Sequence, residues 1–322
     1  MRDWSALPRV AWPDAFGTRF ALFVDTEEEF DWSAPLDRSQ RSVRTVAALP
    51  SAHARFAGRG VPVTYLVDHP VATDPDAAAT IRPLLADGVS AVGAQLHPWV
   101  NPPFGAGETS FAGALPIAAE AAKLDALTAA ITTSFGAPRA YRAGRYGIGP
   151  ATAGLLAARG YRLDSSMRAR FDYSREGGPN FGAVDPHARY LGGLVELPLT
   201  TVYTGALRGA ASGLHRAARR LPRGRGLLAR GGLLSRVPLT PEGVSAAEAL
   251  AAIDVALAEG VRVLNFSFHS PSLVPGNTPY VRDEADLSRF WRWWDVVLDR
   301  LDARGVRPVS LDALLDAAAV TG

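Results

Sequence analysis

Short apolar runs rich in β-branched residues alternate with Ala- and Leu-rich stretches of helical period along the 322-residue chain. The runs "RFALFVD" (19–25) and "VPVTYLVD" (61–68) each stop at a carboxylate, and "GVSAVGAQLH" (88–97) stops at a histidine. Brief, nearly continuous apolar runs bounded by turn residues predict strands buried on both faces. By the same pattern "APRAYRAG" (137–144), "YRLDSS" (161–166), "GGLVELPLT" (192–200), "VRVLNFSFH" (261–269) and "VRPVSL" (306–311) read as further strands. Helical stretches lie between them, the longest over roughly 115–135. Gly60, Gly88, Gly160, Gly260 and Gly305 stand where a helix gives way to a strand, the place of a left-handed helix cap. Between Asp286 and Arg304, Leu287, Phe290, Trp291, Trp294, Val297, Leu298 and Leu301 recur at three- and four-residue spacing. That stripe predicts an amphipathic helix laid on the core.

Seven or eight strands alternating with helices predict an α/β fold whose parallel sheet is closed, or nearly closed, into a barrel. Barrels of this length are routine as one unit. With no internal repeat, low-complexity tract or linker in view, residues 1–322 read as one domain.

Composition narrows the chemistry. With 48% apolar and 20% charged residues, the chain has the balance of an ordinary globular protein. No run of 18 apolar residues occurs, so no transmembrane segment is expected. The stretch "MRDWSALPRVAWPDAF" has no apolar h-region, so a cytoplasmic location is the expectation. There are no cysteines, which excludes disulfides and thiolate metal sites. A formal charge of +2 gives no reason to expect nucleic acid. Its distribution is uneven: no acid occurs between Glu196 and Glu242, but Arg208, Arg216, Arg219, Arg220, Arg223, Arg225, Arg230 and Arg236 do. This basic insertion, at about 205–240, reads as a solvated surface segment or as a contact for an acidic or lipid-linked saccharide.

In parallel barrels, functional residues collect at the C-terminal ends of the strands. Here those ends carry Asp25 and Glu27 ("FVDTEEEFDW"), Asp68 and His69, Gln95 and His97 ("QLHPW"), Arg142 ("YRAGRYG"), Asp164, and His269 ("NFSFHSPSL"). A carboxylate pair at i and i+2 can divide its labour, one binding a metal while the other stays free as a base. A histidine from a distant strand can protonate a leaving group, and an arginine beside the base keeps it ionised. Those are the parts of a metal-assisted hydrolysis of an amide or ester.

In this order and at these spacings, the motifs resemble those of the polysaccharide deacetylase superfamily (NodB homology, carbohydrate esterase family 4) over about residues 19–275. The resemblance implies a distorted (β/α)7 barrel that uses a divalent metal, usually zinc, in carbohydrate metabolism. Such a hydrolase removes acetyl groups from N-acetylated sugars, acting on carbon–nitrogen bonds other than peptide bonds. Carried over by position, it makes Asp25 the general base, His269 the general acid, and Arg142 the group that orients Asp25. Glu27 and His97 become metal ligands. The family's second histidine falls at Gln95, or at Gly93 in members with the longer HxxxHP spacing.

A glutamine offers only a neutral carbonyl oxygen, a hard and weak donor. Three readings follow. Gln95 completes a site of reduced or altered affinity, with manganese or magnesium as alternatives to zinc; or His69 fills the gap; or the ion is absent. In the last case the barrel is a glycan-binding pseudoenzyme or runs metal-free chemistry. A hydrolase of a non-sugar C–N bond is a further alternative. Trp32 and Trp99, beside the motif residues, are candidates either for a sugar subsite or for wall packing, and Tyr146 for the subsite. His53, His187 and His215 are expected to be surface or structural residues.

Overall fold

A computed structural model describes residues 3–105, 109–210 and 232–319. The strands are β1 (Arg19–Thr26), β2 (Val63–Val67), β3 (Ala91–Leu96), β4 (Ala140–Ala143), β5 (Leu163–Asp164), β6 (Arg189–Leu191), β7 (Leu194–Glu196), β8 (Thr201–Thr204), β9 (Ser235–Pro238), β10 (Val263–His269) and β11 (Arg307–Pro308). The helices are α1 (Leu49–Ala57), α2 (His69–Thr73), α3 (Pro75–Ile81), α4 (Ile117–Phe135), α5 (Thr152–Ala157), α6 (Ala246–Ala258), α7 (Glu284–Ala303) and α8 (Leu311–Ala319).

Seven strands run parallel in the order β10-β1-β2-β3-β4-β5-β7, with β6 antiparallel on β7 and β11 alongside β1. The two ends of this order approach each other. Asn265 of β10 donates from Nδ2 to the Leu197 carbonyl just after β7 (2.9 Å), and its backbone N–H donates to Thr200 Oγ1 (2.8 Å). The Ser267 N–H reaches the Leu239 carbonyl at 3.3 Å. The sheet is thus an open α/β barrel whose gap is bridged by the segments flanking the β8–β9 hairpin.

Most strands fall where the hydrophobic pattern puts them, and all five predicted cap glycines have positive φ, from 66° to 82°. The run 192–200 differs. Gly192 and Gly193, both at positive φ, turn the chain between β6 and β7, and β7 ends at Glu196 before Pro198. Proline has no N–H to give a ladder, and the next strand, β8, pairs with β9 outside the barrel. Residues 211–231 of the basic insertion lie outside the described residues; its flanks include that hairpin.

The stripe on α7 is core, as its period requires. Trp294 is fully buried against Phe56, Phe266 and Phe268, with ring centroids 5.1, 5.9 and 5.8 Å away.

Candidate active site

Side chains alternate across a strand, and this decides what the barrel encloses. In β1, Phe20, Leu22 and Val24 pack outward in one core cluster, whereas Ala21 and Phe23 belong to a second, interior one. The next residue on the interior face is Asp25. In β10, Leu264, Phe266 and Phe268 pack outward, leaving Asn265, Ser267 and His269 inside. In β4, Tyr141 and Ala143 pack outward and Arg142 points inward over the Phe23 ring (5.4 Å). Register sets these residues level with one another: Asp25 lies opposite His269, and Gln95 opposite Arg142.

Asp25 is buried at the bottom of the resulting cavity. Its Oδ1 accepts a short hydrogen bond from Arg142 Nη1. The rest of that guanidinium is fixed as well: Nη1 also donates to Ser267 Oγ (2.6 Å), Nη2 to Ser165 Oγ (2.9 Å), and Nε to the Ser165 carbonyl (3.0 Å). Asp25 Oδ2 faces His269 Nε2 at 3.6 Å. On its far side His269 sets Nδ1 2.7 Å from Glu242 Oε2, and its backbone N–H donates to Glu242 Oε1 (3.0 Å). Ser272 Oγ holds that same oxygen at 2.6 Å. Burial alone would lower the affinity of His269 for its proton; the carboxylates of Glu242, Glu27 and Asp25 overcome it and raise the ring to about 10. Burial likewise opposes the charge on Glu242, yet the imidazolium and these hydrogen bonds hold it below the usual carboxylate value.

The other histidine is built in the same way. His97 Nδ1 lies 2.8 Å from Glu28 Oε2, and Trp99 Nε1 donates to Glu28 Oε1 (2.8 Å). A ring proton placed on Nδ1, against Glu28, would leave the Nε2 lone pair available to a cation. That nitrogen faces Glu27 Oε2 at 3.5 Å, and Gln95 Nε2 donates to the same oxygen at 3.2 Å. Trp99 stacks on the imidazole with centroids 4.3 Å apart. Two glycines leave the space this needs. A Cβ on Gly144 would meet His97 Cδ2 at 2.3 Å, so the end of β4 can pass the ring only as glycine. A Cβ on Gly93 would lie 2.7 Å from Leu66 Cδ2 and 2.8 Å from the Ala140 carbonyl. Position 93 therefore has no room for the second imidazole of the longer spacing.

Two clusters around His97 could take a divalent cation. Glu28, Asp68 and His97 bring ligand atoms within 4.8 Å of one another. Their oxygens, however, are already engaged. Asp68 caps α2 through the Val71 N–H (2.8 Å) and accepts the Glu28 N–H (2.8 Å), while Glu28 holds His97 and Trp99. On the cavity side, Glu27 Oε1 and Gln95 Oε1 are both buried with no hydrogen-bond partner among the described residues. Buried polar atoms are seldom left so. One carboxylate, one amide oxygen and the free Nε2 form a donor set that fits a divalent cation, harder than the two-histidine sets zinc favours. Burial pushes the Glu27 carboxyl up to about 8 and Glu28 to about 7, so an added positive charge would be stabilising here.

A cavity of about 410 Å³ opens above these groups, and its lining includes Asp25, Glu27, Gln95, His97, Arg142, Tyr146, His269, Trp32 and Trp99. All nine predicted site residues thus meet there. Trp32 stands edge-on to His269 at 5.1 Å, and Tyr146 stacks parallel to Tyr173 at 6.0 Å. His69 is not among the lining residues; it begins α2, and burial pushes its ring down to about 4. Asp164 is buried beneath the site, paired in register with Glu196. His53 is structural, with Nδ1 2.8 Å from the Tyr65 hydroxyl, and His187 pairs with Asp185 at 3.1 Å. His215 lies outside the described residues. Glu28, Glu242 and Arg168 belong to the site but escape a reading based on strand ends, because they stand on loops.

No protein-family model matches the chain, and no curated protein matches it. The chain is similar to solved structures of polysaccharide deacetylase and CE4 type. A protein of Mycobacterium smegmatis, provisionally described as a polysaccharide deacetylase, is 18% identical over 94% of this chain and 96% of that one, with a TM-score of 0.49. The Xyl-CE4 domain of a multidomain xylanase from the hindgut metagenome of Trinervitermes trinervoides is 10% identical over 94% and 92%, with a TM-score of 0.46. A mutant, with restored enzymatic activity, of a CE4 family pseudoenzyme is 9% identical over 94% and 68%, with a TM-score of 0.47. No helix among the described residues is long and apolar enough to cross a membrane.

Proposed function

We propose that the chain is a metal-assisted hydrolase of the polysaccharide deacetylase kind, which removes an N-acetyl group from a saccharide. The observation that carries this reading is the pairing of Asp25 Oδ2 with His269 Nε2 across 3.6 Å, beside oxygens of Glu27 and Gln95 that have no hydrogen-bond partner among the described residues. A base and an acid thus share one cavity without being bonded tightly to each other.

Glu27, Gln95 and His97 would hold a divalent cation, which would polarise the acyl oxygen and acidify a water. Arg142 holds Asp25 in place through Oδ1, which leaves Oδ2 to take the proton of the attacking water. His269, held charged by Glu242, gives its Nε2 proton to the departing nitrogen, releasing acetate and the amino sugar. Trp32, Trp99 and Tyr146 supply apolar faces on which a pyranose ring can rest.

The neutral amide at Gln95 favours one rival, a glycan-binding pseudoenzyme. Acetate release from N-acetylated oligosaccharides, measured with added Zn²⁺, Mn²⁺ or Mg²⁺, separates the two. The hydrolase reading expects turnover by wild type that Asp25→Asn and His269→Ala each lower at least about 100-fold. Turnover insensitive to both substitutions sinks it, and oligosaccharide binding without turnover supports the rival.

A further inference from the structure

Among the described residues three arginines line the cavity, and they differ in how their charge is met. Arg142 is paired with Asp25, and Arg145 with Glu176. Arg168 has no carboxylate partner among the described residues. Its one hydrogen bond there is a long contact from Nη1 to the Tyr173 hydroxyl (3.4 Å), and its Nε is buried without any partner. Aromatic faces hold the group in place instead: the guanidinium lies 3.9 Å from the Phe171 centroid and 5.3 Å from that of Tyr146. Tyr173 stacks on both of those rings, each at 6.0 Å.

Such a cage fixes an arginine without neutralising it. A half-buried cation left in this state costs solvation, and a ligand anion offers it a charge-assisted, bidentate partner. Two of these rings, Tyr146 and Tyr173, line the cavity beside Arg168, so the cation and an aromatic surface border it together. We propose that Arg168 is a subsite for an anionic substituent, a carboxylate or a phosphate monoester, on the saccharide that enters this cavity. That the ligand is a saccharide rests on the hydrolase reading above; that it carries a negative charge rests on Arg168.

The test compares binding of three probes to the full chain carrying Asp25→Asn, so that no turnover is needed. The probes are neutral N-acetylchitotetraose, hyaluronan tetrasaccharide with its carboxylates, and N-acetylglucosamine 1-phosphate. Isothermal titration calorimetry gives each affinity with Arg168 intact, with Arg168→Met and with Arg168→Lys. The expected result is a preference for a charged probe over the neutral one that falls about 10- to 100-fold in Arg168→Met, the range of a lost charged hydrogen bond. Arg168→Lys should recover part of it. Whichever charged probe shows the preference identifies the group as carboxylate or phosphate. Absence of any preference with Arg168 intact, absence of binding, or a preference that Arg168→Met leaves unchanged overturns the proposal. Acetate release by the wild-type chain is scored separately: failure to deacetylate any probe, with the charge preference intact, defeats the hydrolase reading and leaves the subsite standing.

Discussion

His97 and His269 each set Nδ1 against a glutamate, 2.8 Å from Glu28 and 2.7 Å from Glu242. Each turns Nε2 towards a carboxylate at the C-terminal end of β1, at 3.5 Å from Glu27 just past the strand and 3.6 Å from Asp25 within it. What separates them is the third neighbour. Beside His97 stands a neutral amide, with two oxygens nearby that lack a partner among the described residues and an indole sealing the ring, whose side chain is 3% exposed. Beside His269 stands an arginine-held carboxylate, and the ring, 21% exposed, borders the open cavity. A glutamate behind a histidine is therefore not a role in itself. It fixes the ring, and under the proposed function the groups around Nε2 decide whether that nitrogen offers a lone pair to a cation or a proton to a leaving group.

Removing either ring should break the comparison most severely. His269→Ala and His97→Ala should each lower turnover on the order of 10²- to 10⁴-fold. Only His97→Ala should also lose the divalent cation, as elemental analysis of dialysed protein would record. Equal metal content in the two variants would mean that the histidines are not divided as described.

Glu242→Gln is the next largest. Against the burial that lowers it, Glu242 helps raise the His269 ring to about 10, so the ring stays charged across neutral pH. Without that anion the ring should lose its proton at lower pH, and the alkaline limb of the kcat profile should move towards acid. The sign for stability is the same. The His269 side of the pairing favours the folded state up to about pH 6.5, the ordinary imidazole value, and is lost as pH rises through the folded value, while the Glu242 side is lost as pH falls through the lowered carboxylate value. Urea unfolding of wild type and Glu242→Gln should thus diverge most near neutral pH and converge in strong alkali. A constant gap across that range would contradict the assignment.

Glu28→Gln addresses the other ring. Loss of an orienting carboxylate typically weakens a metal site about 10- to 100-fold. Calorimetric titration should show that loss while the pH profile keeps its alkaline limb, the converse of Glu242→Gln. The smallest effect belongs to His69→Ala, which should change cation affinity less than about 2-fold, since its ring is not among those lining the cavity. A larger loss would bring His69 back as a ligand.

Much of this arrangement is legible in the residues. Period-two alternation within β1, β4 and β10 is enough to set Asp25, Arg142 and His269 on one interior face, and the motif order brings Glu27 and His97 to them. The apolar stripe of α7 could be assigned to core because seven residues agreed on one period. Glu28 and Glu242 were hidden for a physical reason. Each acts from a loop, where alternation no longer tells which way a side chain points, and Glu242 reaches His269 only because the β8–β9 hairpin returns the chain beside β10. Arg168 was hidden by its company: that no carboxylate among the described residues pairs with it is a property of three dimensions. The glycine at 144 shows the reverse, since its need for space is plain only once His97 is seen against it.

The central claim is that the cation lies on the cavity side of His97. Titrating metal-stripped protein with Mn²⁺ and Zn²⁺ tests it directly, in wild type, Glu27→Gln and Asp68→Asn. The prediction is one site per chain whose affinity falls at least about 10-fold in Glu27→Gln and only slightly in Asp68→Asn. Full affinity in Glu27→Gln together with its loss in Asp68→Asn would place the ion on Glu28 and Asp68 instead, and would contradict the account.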